Sequence, residues 1–409
     1  MQQFNELKLQ QPIFKALQSM QFEKPTPIQA QAIPLALEGK DIIACAQTGT
    51  GKTAAFCLPI VDRLLAHPQK MALILVPTRE LAAQVTEVLK DLTRFTPGIK
   101  GALLIGGMSM RPQMDKLKRG VRLVVATPGR LLDHLERRTL DFKALDILVL
   151  DEADRMLDMG FAPQLNKILP YLPKGRQTLL FSATLPANIE QLSARYLTDP
   201  VRVTVGSVSR PVEKIQQSIV ETTAAGKNET LVDELLARKG SVLIFARTKA
   251  RTDRVAQHLQ KYGHSVTRLH GDRTQGQRNS AVAGFRDGRF RILVATDIAA
   301  RGIDISHIAN VINYDLPHVP EDYVHRIGRT ARAGAEGQAV SFVTPEDKAL
   351  WRAISNFLGK TGAPSVAFMN DKGRPAKKIE KNSRSFRKKF SGKPRRPSQR
   401  KGFASRPSN

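Results

Sequence analysis

The sequence predicts an α/β protein made of two tandem domains with parallel sheets, followed by a disordered basic tail. Three observations support this class. Short apolar runs alternate with helix-like stretches, this rhythm stops at a polar segment and restarts after it, and the composition changes abruptly in the last 40 residues. Near-continuous apolar strands between helices are typical of parallel sheets that are covered on both faces.

The expected strands are short runs rich in Val, Ile, Leu and Ala. In the first series they cover 41–46, 71–76, 123–126, 145–150 and 178–181. In the second series they cover 241–246, 265–269, 291–295, 309–312 and 338–343. Between the two series, the segment VGSVSRPV is polar and interrupted by Gly and Pro, as linkers commonly are. We therefore predict a first domain at 1–205, a linker at 206–212, a second domain at 213–364 and a tail at 365–409.

Positive charge is high and unevenly distributed. The chain has 64 Lys plus Arg against 37 Asp plus Glu, for a net charge of +27, and the tail carries +13 of it. The tail has almost no Leu, Ile or Val, so it cannot offset the entropy of ordering by burial and is expected to stay unfolded. Such a charge predicts a polyanionic partner.

Composition also excludes several classes of protein. No run approaches the roughly 18 to 20 uninterrupted apolar residues of a membrane span, and the N-terminus lacks the layout of a signal peptide. With two cysteines, Cys45 and Cys57, the chain has neither a disulfide scaffold nor a four-cysteine metal site. We expect a cytoplasmic protein without a membrane partner, whose cysteines are small buried residues.

A phosphate-binding loop is predicted directly after the first strand, where a helix is expected to begin near Lys52. Glycines let backbone N–H groups converge on phosphate oxygens, Lys52 can reach the β- and γ-phosphates, and the Thr53 hydroxyl can ligate Mg²⁺. We call residues 46–53 the phosphate loop and expect all of them to contact a nucleotide: Ala46, Gln47, Thr48, Gly49, Thr50, Gly51, Lys52 and Thr53.

Acidic residues follow a later strand. The run 145–150 leads directly into Asp-Glu-Ala-Asp at 151–154, at the sheet edge where such folds bind ligands. Mg²⁺ needs oxygen ligands beside the phosphates, and hydrolysis needs a group that orients the attacking water. We therefore expect Asp151 to bind the metal together with Thr53, and Glu152 to orient the water.

Six motifs occur in one order along the chain: AQTGTGKT at 46–53, PTRELA at 77–82, TPGR at 127–130, DEAD at 151–154, SAT at 182–184 and HRIGRTAR at 325–332. In these motifs the chain resembles the DEAD-box ATP-dependent RNA helicases, and with its tail it looks like the bacterial RhlE branch. The resemblance spans Phe4 to about Val343, without the tail. It implies two RecA-like domains, with ATP and Mg²⁺ as cofactors and RNA as the partner.

The resemblance implies an adenine-binding segment near the N-terminus. Family members stack an aromatic residue on adenine and hydrogen-bond its edge with a glutamine, which are Phe22 and Gln29 here, and Lys24 belongs to the same site. Phe4 is the upstream aromatic residue. Before the stacking aromatic the family usually has glycine, where this chain has Gln21. Without an adenine contact, Phe22 would be a helix-packing residue.

In the second domain the resemblance implies two arginine fingers, Arg329 and Arg332, which complete the ATP site. Gly302 and Asp304 also line the nucleotide by resemblance, and the family commonly has glycine at Ala331. A planar, permanently charged guanidinium suits developing phosphoryl charge, whereas an isolated arginine cluster is usually a solvated face. Because no glycine-loop Lys-Thr follows a strand in this domain, we expect one ATP in the cleft, and domain closure to complete the site.

RNA binding without sequence preference needs phosphate and 2′-hydroxyl contacts. By resemblance these come from Pro77, Thr78, Arg79, Gly106, Gly107, Thr127, Pro128, Gly129 and Arg130 in the first domain, and from Gly271, Asp272, Gln275, Arg278 and Thr296 in the second. The resemblance also implies that four residues couple hydrolysis to strand opening: Ser182, Thr184, Asp154 and His325. For the serine and threonine, a polar strand-end cap is the alternative interpretation.

The tail interleaves Phe386, Phe390 and Phe403 with basic residues, so bases could stack on it. We expect it to tether RNA within a reach of about 35 Å, a solubility tail being the alternative.

Together these features predict an RNA-dependent ATP hydrolase that locally unwinds short RNA duplexes or remodels ribonucleoproteins. Its expected partners are single strands and short duplexes of RNA, with ribosomal RNA or RNA-decay proteins added by analogy, and we expect a monomer. One alternative is an ATP-gated RNA chaperone that anneals strands through its tail. Another is a DNA translocase, against which the adenine-binding segment and the RNA-suited loops argue.

Overall fold

The described part of the chain forms two parallel sheets of seven strands each. The computed structural model describes residues 3–46, 49–205, 215–300, 308–331, 336–360 and 367–369. Both sheets belong to one compact unit, Met1–Pro375. The predicted linker 206–212 and most of the predicted tail lie outside the described residues, and the domain boundaries stay a prediction.

The first sheet has the strand order β3-β4-β2-β5-β6-β1-β7. Its strands are β1 Ile42–Ala46, β2 Met71–Leu75, β3 Gly101–Leu104, β4 Leu123–Ala126, β5 Leu145–Leu150, β6 Gln177–Ser182 and β7 Val201–Val205. Next to the β7 edge of this parallel sheet, Ile42 of β1 pairs with Leu179 of β6 and Val201 of β7.

The second sheet has the order β10-β11-β9-β12-β13-β8-β14. Its strands are β8 Ile215–Glu221, β9 Val242–Phe245, β10 Val266–Leu269, β11 Ile292–Ala295, β12 Asn310–Asn313, β13 Gly337–Val343 and β14 Ala367–Met369. This order repeats that of the first sheet, with β8 in the place of β1, β9 in the place of β2 and so on. The two domains therefore share one topology.

Helices alternate with the strands in both domains. In the first domain they are α1 Gln11–Ser19, α2 Pro27–Leu37, α3 Lys52–Ala66, α4 Arg79–Leu92, α5 Met110–Leu117, α6 Pro128–Glu136, α7 Ala153–Asp158, α8 Ala162–Ile168 and α9 Ala187–Tyr196. In the second they are α10 Lys227–Ala237, α11 Lys249–Lys261, α12 Gln275–Arg286, α13 Asp297–Ala300, α14 Pro320–Ile327 and α15 Lys348–Lys360. Short 3₁₀ turns occur at Phe4–Leu7, Leu169–Tyr171 and Pro345–Asp347. None of the helices among these residues is long and apolar enough to cross a membrane.

Both faces of the first sheet are buried. In β1, Ile42 and Ala44 pack into one apolar cluster, under α1 to α4, while Ile43 packs into the cluster on the other face, under α6 to α9. Cys45 and Cys57 are both buried, as the sequence predicts. Because all strands run parallel, their carboxyl ends meet at one edge, and that edge carries the loops predicted to bind ligands.

The predicted fold class, two α/β domains with parallel sheets, is confirmed, and each predicted strand is present within one residue at either end. The sequence analysis assigned no range to β3, β7, β8 or β14. In β7, buried and exposed residues alternate, as expected for a strand near a sheet edge, so a search for continuous apolar runs misses it.

One prediction about the tail is wrong at three positions. Ala367–Met369 lie in the segment predicted to be disordered, yet they form β14 and pair with β8 in parallel register. Without β14, β8 would be the edge of the sheet, and its unpaired backbone groups are available to a short added strand. The rest of the tail from residue 370 lies outside the described residues.

Candidate active site and RNA interface

The phosphate loop connects β1 to α3, and α3 begins at Lys52 as predicted. Gly49 and Gly51 have φ values of 84° and 90°, a left-handed conformation that favours glycine. The Lys52 Nζ atom is buried and donates a hydrogen bond to the Ala46 carbonyl at 2.7 Å, which closes the loop. Gln47 and Thr48 lie outside the described residues.

The adenine-binding segment contacts the phosphate loop through Gln29. The Gln29 Oε1 atom accepts a hydrogen bond from the Thr26 N–H at 2.9 Å, and its Nε2 donates to the Gly51 carbonyl at 3.0 Å. Phe22 stacks on Phe4 with ring centroids 6.2 Å apart, and 36% of Phe22 is exposed. Phe22 therefore packs on one side and leaves surface for a base. Lys24 is exposed beside it.

Asp151 is buried at the carboxyl end of β5, next to the phosphate loop. Burial is the largest cause that raises the pKa of Asp151, the charge of Glu152 also raises it and Lys52 lowers it, and the net result is a pKa of about 7. The positive charge of Lys52 offsets only part of the cost of burying this carboxylate, so a divalent cation would stabilise it. Carboxylate oxygens are ligands that suit Mg²⁺. The donor set predicted for this metal therefore fits the site. Among the described residues no cluster of three or more His, Cys, Asp or Glu could hold a metal on protein ligands alone.

Glu152 has an unusual backbone conformation. It caps the N-terminus of α7 with a φ of 51°, which is left-handed and strained for a non-glycine residue. Its N–H donates to Asp151 Oδ1 at 3.0 Å. The turn therefore aims Asp151 and Glu152 differently although they are neighbours in sequence, as two different roles require.

The residues predicted to couple hydrolysis to strand opening are brought together, apart from His325. The Asp154 Oδ2 atom accepts hydrogen bonds from the Ala183 and Thr184 N–H groups at 3.1 Å and from the Thr184 hydroxyl at 3.2 Å. The Ser182 hydroxyl donates to the Thr184 carbonyl at 2.6 Å. The end of β6 is therefore tied to the acidic loop after β5, which goes beyond a polar strand-end cap.

The arginine-rich motif of the second domain begins in the last turn of α14. Arg326 donates to both carboxylate oxygens of Asp297 at 2.5 and 2.7 Å and lies over the ring of Phe245. Arg329, a predicted finger, is 6% exposed and Arg326 is 2% exposed, so a solvated face does not describe this cluster. Arg332, Gly302 and Asp304 lie outside the described residues.

A cavity of 420 Å³ is lined by both domains and contains most of the predicted RNA-binding positions. The predicted residues that line it are Pro77, Thr78, Arg79, Gly106, Thr127, Gly129, Arg130 and Arg278. Gly107 adjoins it, because a Cβ atom there would lie 1.9 Å from Arg79 Nη1. Pro128 is the first residue of α6, between two of the lining residues. Met159, Phe161 and Ile298, which the sequence analysis did not select, add apolar surface to the same cavity.

Two of the predicted RNA-binding residues of the second domain contact the first domain. Arg278 pairs with Glu80 at 2.8 Å, while Gln275 donates to Glu80 at 3.3 Å and accepts from Arg79 at 3.4 Å. Glu80 lies inside the motif PTRELA, but the sequence analysis did not assign it a role. A carboxylate would repel RNA phosphates, so its presence in a segment predicted to bind RNA was a signal that Glu80 contacts protein instead.

The other predicted RNA-binding residues of the second domain do not take part in the contact with Glu80. Asp272 is paired with Lys249 at 2.5 Å, and a Cβ atom on Gly271 would lie 3.2 Å from the same lysine side chain. Thr296 is buried at the end of β11.

The second domain carries a lysine in the place of Lys52. Lys227 is the first residue of α10 and follows Gly226 after β8, the counterpart of β1. Its Nζ contacts Asp315 Oδ1 at 3.1 Å and Asp347 Oδ2 at 3.4 Å, and all three residues are buried. Burial raises the pKa of Asp315, but Lys227, the Arg247 N–H and Arg251 together outweigh burial, and the pKa is lowered overall. The lysine is thus neutralised within the domain, which supports the expectation of a single ATP.

Two stretches of the chain match known families. Residues 26–192 match the DEAD/DEAH box helicase family, and residues 226–334 match the helicase conserved C-terminal domain. The first stretch contains the phosphate loop and the acidic motif, and the second contains α14 and Arg329.

Curated relatives cover most of the chain. It is 44% identical over 353 residues to the DEAD-box ATP-dependent RNA helicase CshA of Bacillus subtilis (strain 168), covering 86% of this chain and 71% of that protein. It is 45% identical over 374 residues to the ATP-dependent rRNA helicase RRP3 of Scheffersomyces stipitis, covering 90% of this chain and 77% of that protein. Neither relative bears the RhlE name, so the branch stays a prediction.

The solved structure of S. cerevisiae Dbp5 bound to RNA and ADP BeF3 is similar to the whole fold. It has 34% sequence identity and a TM-score of 0.81, covering 91% of this chain and 96% of that one. A variant of the same yeast protein bound to Gle1 and IP6 has a TM-score of 0.72. By this measure the chain is more similar to the RNA-bound structure. Fold, motif geometry and sequence identity agree, and the chain belongs to the family of DEAD-box ATP-dependent RNA helicases.

Proposed function

We propose that this protein is an RNA-stimulated ATPase that separates short RNA duplexes locally. One observation carries the proposal: the phosphate loop with its acidic residues lies in the first domain, while Arg329 comes from the second, and Arg155 and Asp322 join the two at 2.5 Å. A site divided in this way is complete only when the domains are together. ATP turnover is thereby linked to domain closure.

For the nucleotide, Phe22 and Gln29 bind adenine, and Lys52 and the loop N–H groups bind the phosphates. Mg²⁺, when bound, neutralises phosphate charge and would be held by Asp151 and Thr53. Glu152 orients the attacking water, while Arg329, together with Arg332, stabilises the charge that develops on the transferred phosphoryl group.

For RNA, the 420 Å³ cavity supplies backbone, hydroxyl and guanidinium groups from both domains. Such groups recognise phosphates and 2′-hydroxyls and do not read bases, so binding is independent of sequence. Because the cavity and the ATP site share one domain interface, RNA and ATP each favour the closed arrangement, and hydrolysis releases it. A strand bound in the closed cavity is held away from its duplex partner.

The experiment measures steady-state ATP hydrolysis with and without a single-stranded RNA, and with DNA of the same sequence. We expect stimulation by RNA and much less by DNA. Glu152→Gln should bind ATP and RNA but lose turnover, and Lys52→Ala should lose turnover by losing phosphate binding. A wild-type enzyme that RNA does not stimulate would refute the proposal, and equal stimulation by DNA would favour the translocase.

Ribosomal RNA is the RNA class we favour, because the relative RRP3 is named an rRNA helicase. Crosslinking in cells followed by sequencing of the bound RNA would test this choice, and enrichment of messenger RNA instead would contradict it. The cytoplasmic location and the monomeric state stay predictions. The annealing alternative is not favoured by the family match, and retention of duplex separation after removal of the tail would count further against it.

A further inference from the structure

Arg155 and Asp322 form an ion pair between the two domains. The Arg155 Nη1 atom donates to Asp322 Oδ1 at 2.5 Å. The arginine side chain is 5% exposed and the aspartate side chain 16% exposed. Arg155 is therefore shielded from water by the second domain, and its partner is 167 residues away in sequence.

Each partner lies close to a residue proposed for the chemistry. Arg155 is in the first turn of α7, three residues after Glu152, which caps that helix. Asp322 is in the first turn of α14, two helical turns before Arg329, whose N–H donates to the Arg326 carbonyl at 3.1 Å. Arg155, Asp322 and Arg329 all line one small cavity between the domains.

Both elements are also firmly held within their own domains. On the α7 side, the Asp154 carboxylate joins the Arg155 N–H at 3.0 Å to the end of β6. On the α14 side, Arg326 is bound by both oxygens of Asp297. An ion pair between two rigid elements transmits position, because neither end can move alone.

The pair differs from an ordinary helix-surface contact. Within α7, Asp158 lies 3.5 Å from the same Arg155 nitrogen, but its side chain is 48% exposed. An ion pair with an exposed partner three residues along the same helix contributes little to stability. The pairing with Asp322 is largely buried and joins the two domains, so it is made only when the domains meet.

We propose that Arg155 is a positioning residue for ATP hydrolysis. By pairing with Asp322 when the domains meet, it places Glu152 and Arg329 opposite each other across the phosphates. When the domains separate, water hydrates the Arg155 guanidinium. Glu152, which orients the attacking water, and the arginine finger Arg329 are then no longer held opposite each other. This inference rests on the proposed function, since it concerns the same ATP site.

The test compares Arg155→Gln and Asp322→Asn with wild type in RNA-stimulated ATP hydrolysis. We expect each variant to lower kcat at least about tenfold, as misplacement of catalytic groups does. ATP affinity without RNA should be unchanged, because the phosphate loop lies wholly in the first domain. Asp158→Asn, which removes the exposed partner of the same arginine, is the matched control and should keep wild-type kcat.

Two further measurements separate positioning from a general effect on folding. Arg155→Lys retains the charge and should recover part of kcat, and thermal unfolding of all variants should match wild type. In the double variant, kcat should be no lower than in the worse single variant, because both changes break one interaction.

Wild-type kcat in both single variants, or losses that multiply in the double variant, would overturn the inference. A loss of kcat that tracks a loss of thermal stability would overturn it as well, since it would show a folding role. Failure of the proposed function is distinguishable, because then wild type itself would show no stimulation by RNA.

Discussion

The side-chain amide of Gln29 donates a hydrogen bond to the carbonyl oxygen of Gly51 at 3.0 Å. This bond ties the adenine-binding segment to the turn that starts α3, one residue before Lys52. Gly51 has no room for a side chain at this point, since a Cβ atom would lie 2.5 Å from the Gln29 amide nitrogen. The segment predicted to bind adenine and the loop predicted to bind phosphates are thus joined by a hydrogen bond.

Replacing Gln29 should weaken ATP binding through the phosphate loop as well as at adenine. Gln29→Ala removes both the bond to Gly51 and the bond from the Thr26 N–H, so we expect KM for ATP to rise about tenfold, or 1.4 kcal/mol. Steady-state kinetics at saturating RNA would measure it. Gln31→Ala, an exposed position on the same helix, should leave KM unchanged. An unchanged KM in Gln29→Ala would contradict the connection.

Gly107 should be required for RNA binding, because a side chain at this position would displace Arg79. In Gly107→Ala the new Cβ atom would lie 1.9 Å from Arg79 Nη1, so the guanidinium must leave its place in the RNA cavity. We expect RNA affinity, measured by fluorescence anisotropy with a non-hydrolysable ATP analogue, to fall about tenfold or more through the loss of a charged contact.

Gly120 offers a matched control for this substitution. It has the same φ of 75°, but a Cβ atom there would have nothing within 4 Å. Gly120→Ala introduces the same backbone strain without touching Arg79, so RNA affinity should stay at the wild-type value. Equal losses in both variants would show that backbone strain, and not the Arg79 contact, matters.

Two substitutions to glycine should stabilise the protein. Gln21 and Ala331 stand where the related family has glycine, and both have a left-handed backbone, with φ of 58° and 56°. A glycine at either position relieves the backbone strain of the folded state, but it also gives the unfolded chain more conformational freedom. The net effect of each substitution should be a rise of about 0.5–1 kcal/mol in the free energy of unfolding. Thermal unfolding would measure the change. Gln18→Gly, within α1, should destabilise by about as much, and destabilisation by all three would refute the assignment.

His134 should make stability depend on pH. It is fully buried, its Nδ1 contacts the Thr139 hydroxyl at 2.7 Å, and its Nε2 has no hydrogen-bond partner within the described part of the chain. Burial lowers the pKa of His134, and Arg130 lowers it further. The unfolded chain therefore takes up the proton first, and the free energy of unfolding should fall as pH drops below about 6.5.

Denaturant titrations at pH 7.5 and 5.5 would measure that fall. His134→Gln lacks the titrating group, so its stability should change less between the two pH values than that of wild type. His67→Gln, at an exposed position, should follow wild type. A variant at position 134 with the full wild-type fall would contradict the assignment.

Much of the ATP site could be predicted because its parts are local. A strand, a glycine turn and a helix start are adjacent in sequence, so Lys52 and Asp151 could be placed before any tertiary contact was known. The edge strand β7 was missed because its residues alternate between buried and exposed. Glu80 was overlooked because its partner Arg278 belongs to the other domain.

The order of apolar runs and motifs was enough to establish two parallel-sheet domains, a nucleotide site and the helicase family, since these follow from neighbours in the chain. The pairing of Arg155 with Asp322, the neutralisation of Lys227 by Asp315 and the strain at Glu152 needed the folded protein. Residues far apart in sequence meet there because parallel strands bring their carboxyl ends to one edge, and two such edges meet at the domain interface. Sequence spacing carries no information about that meeting.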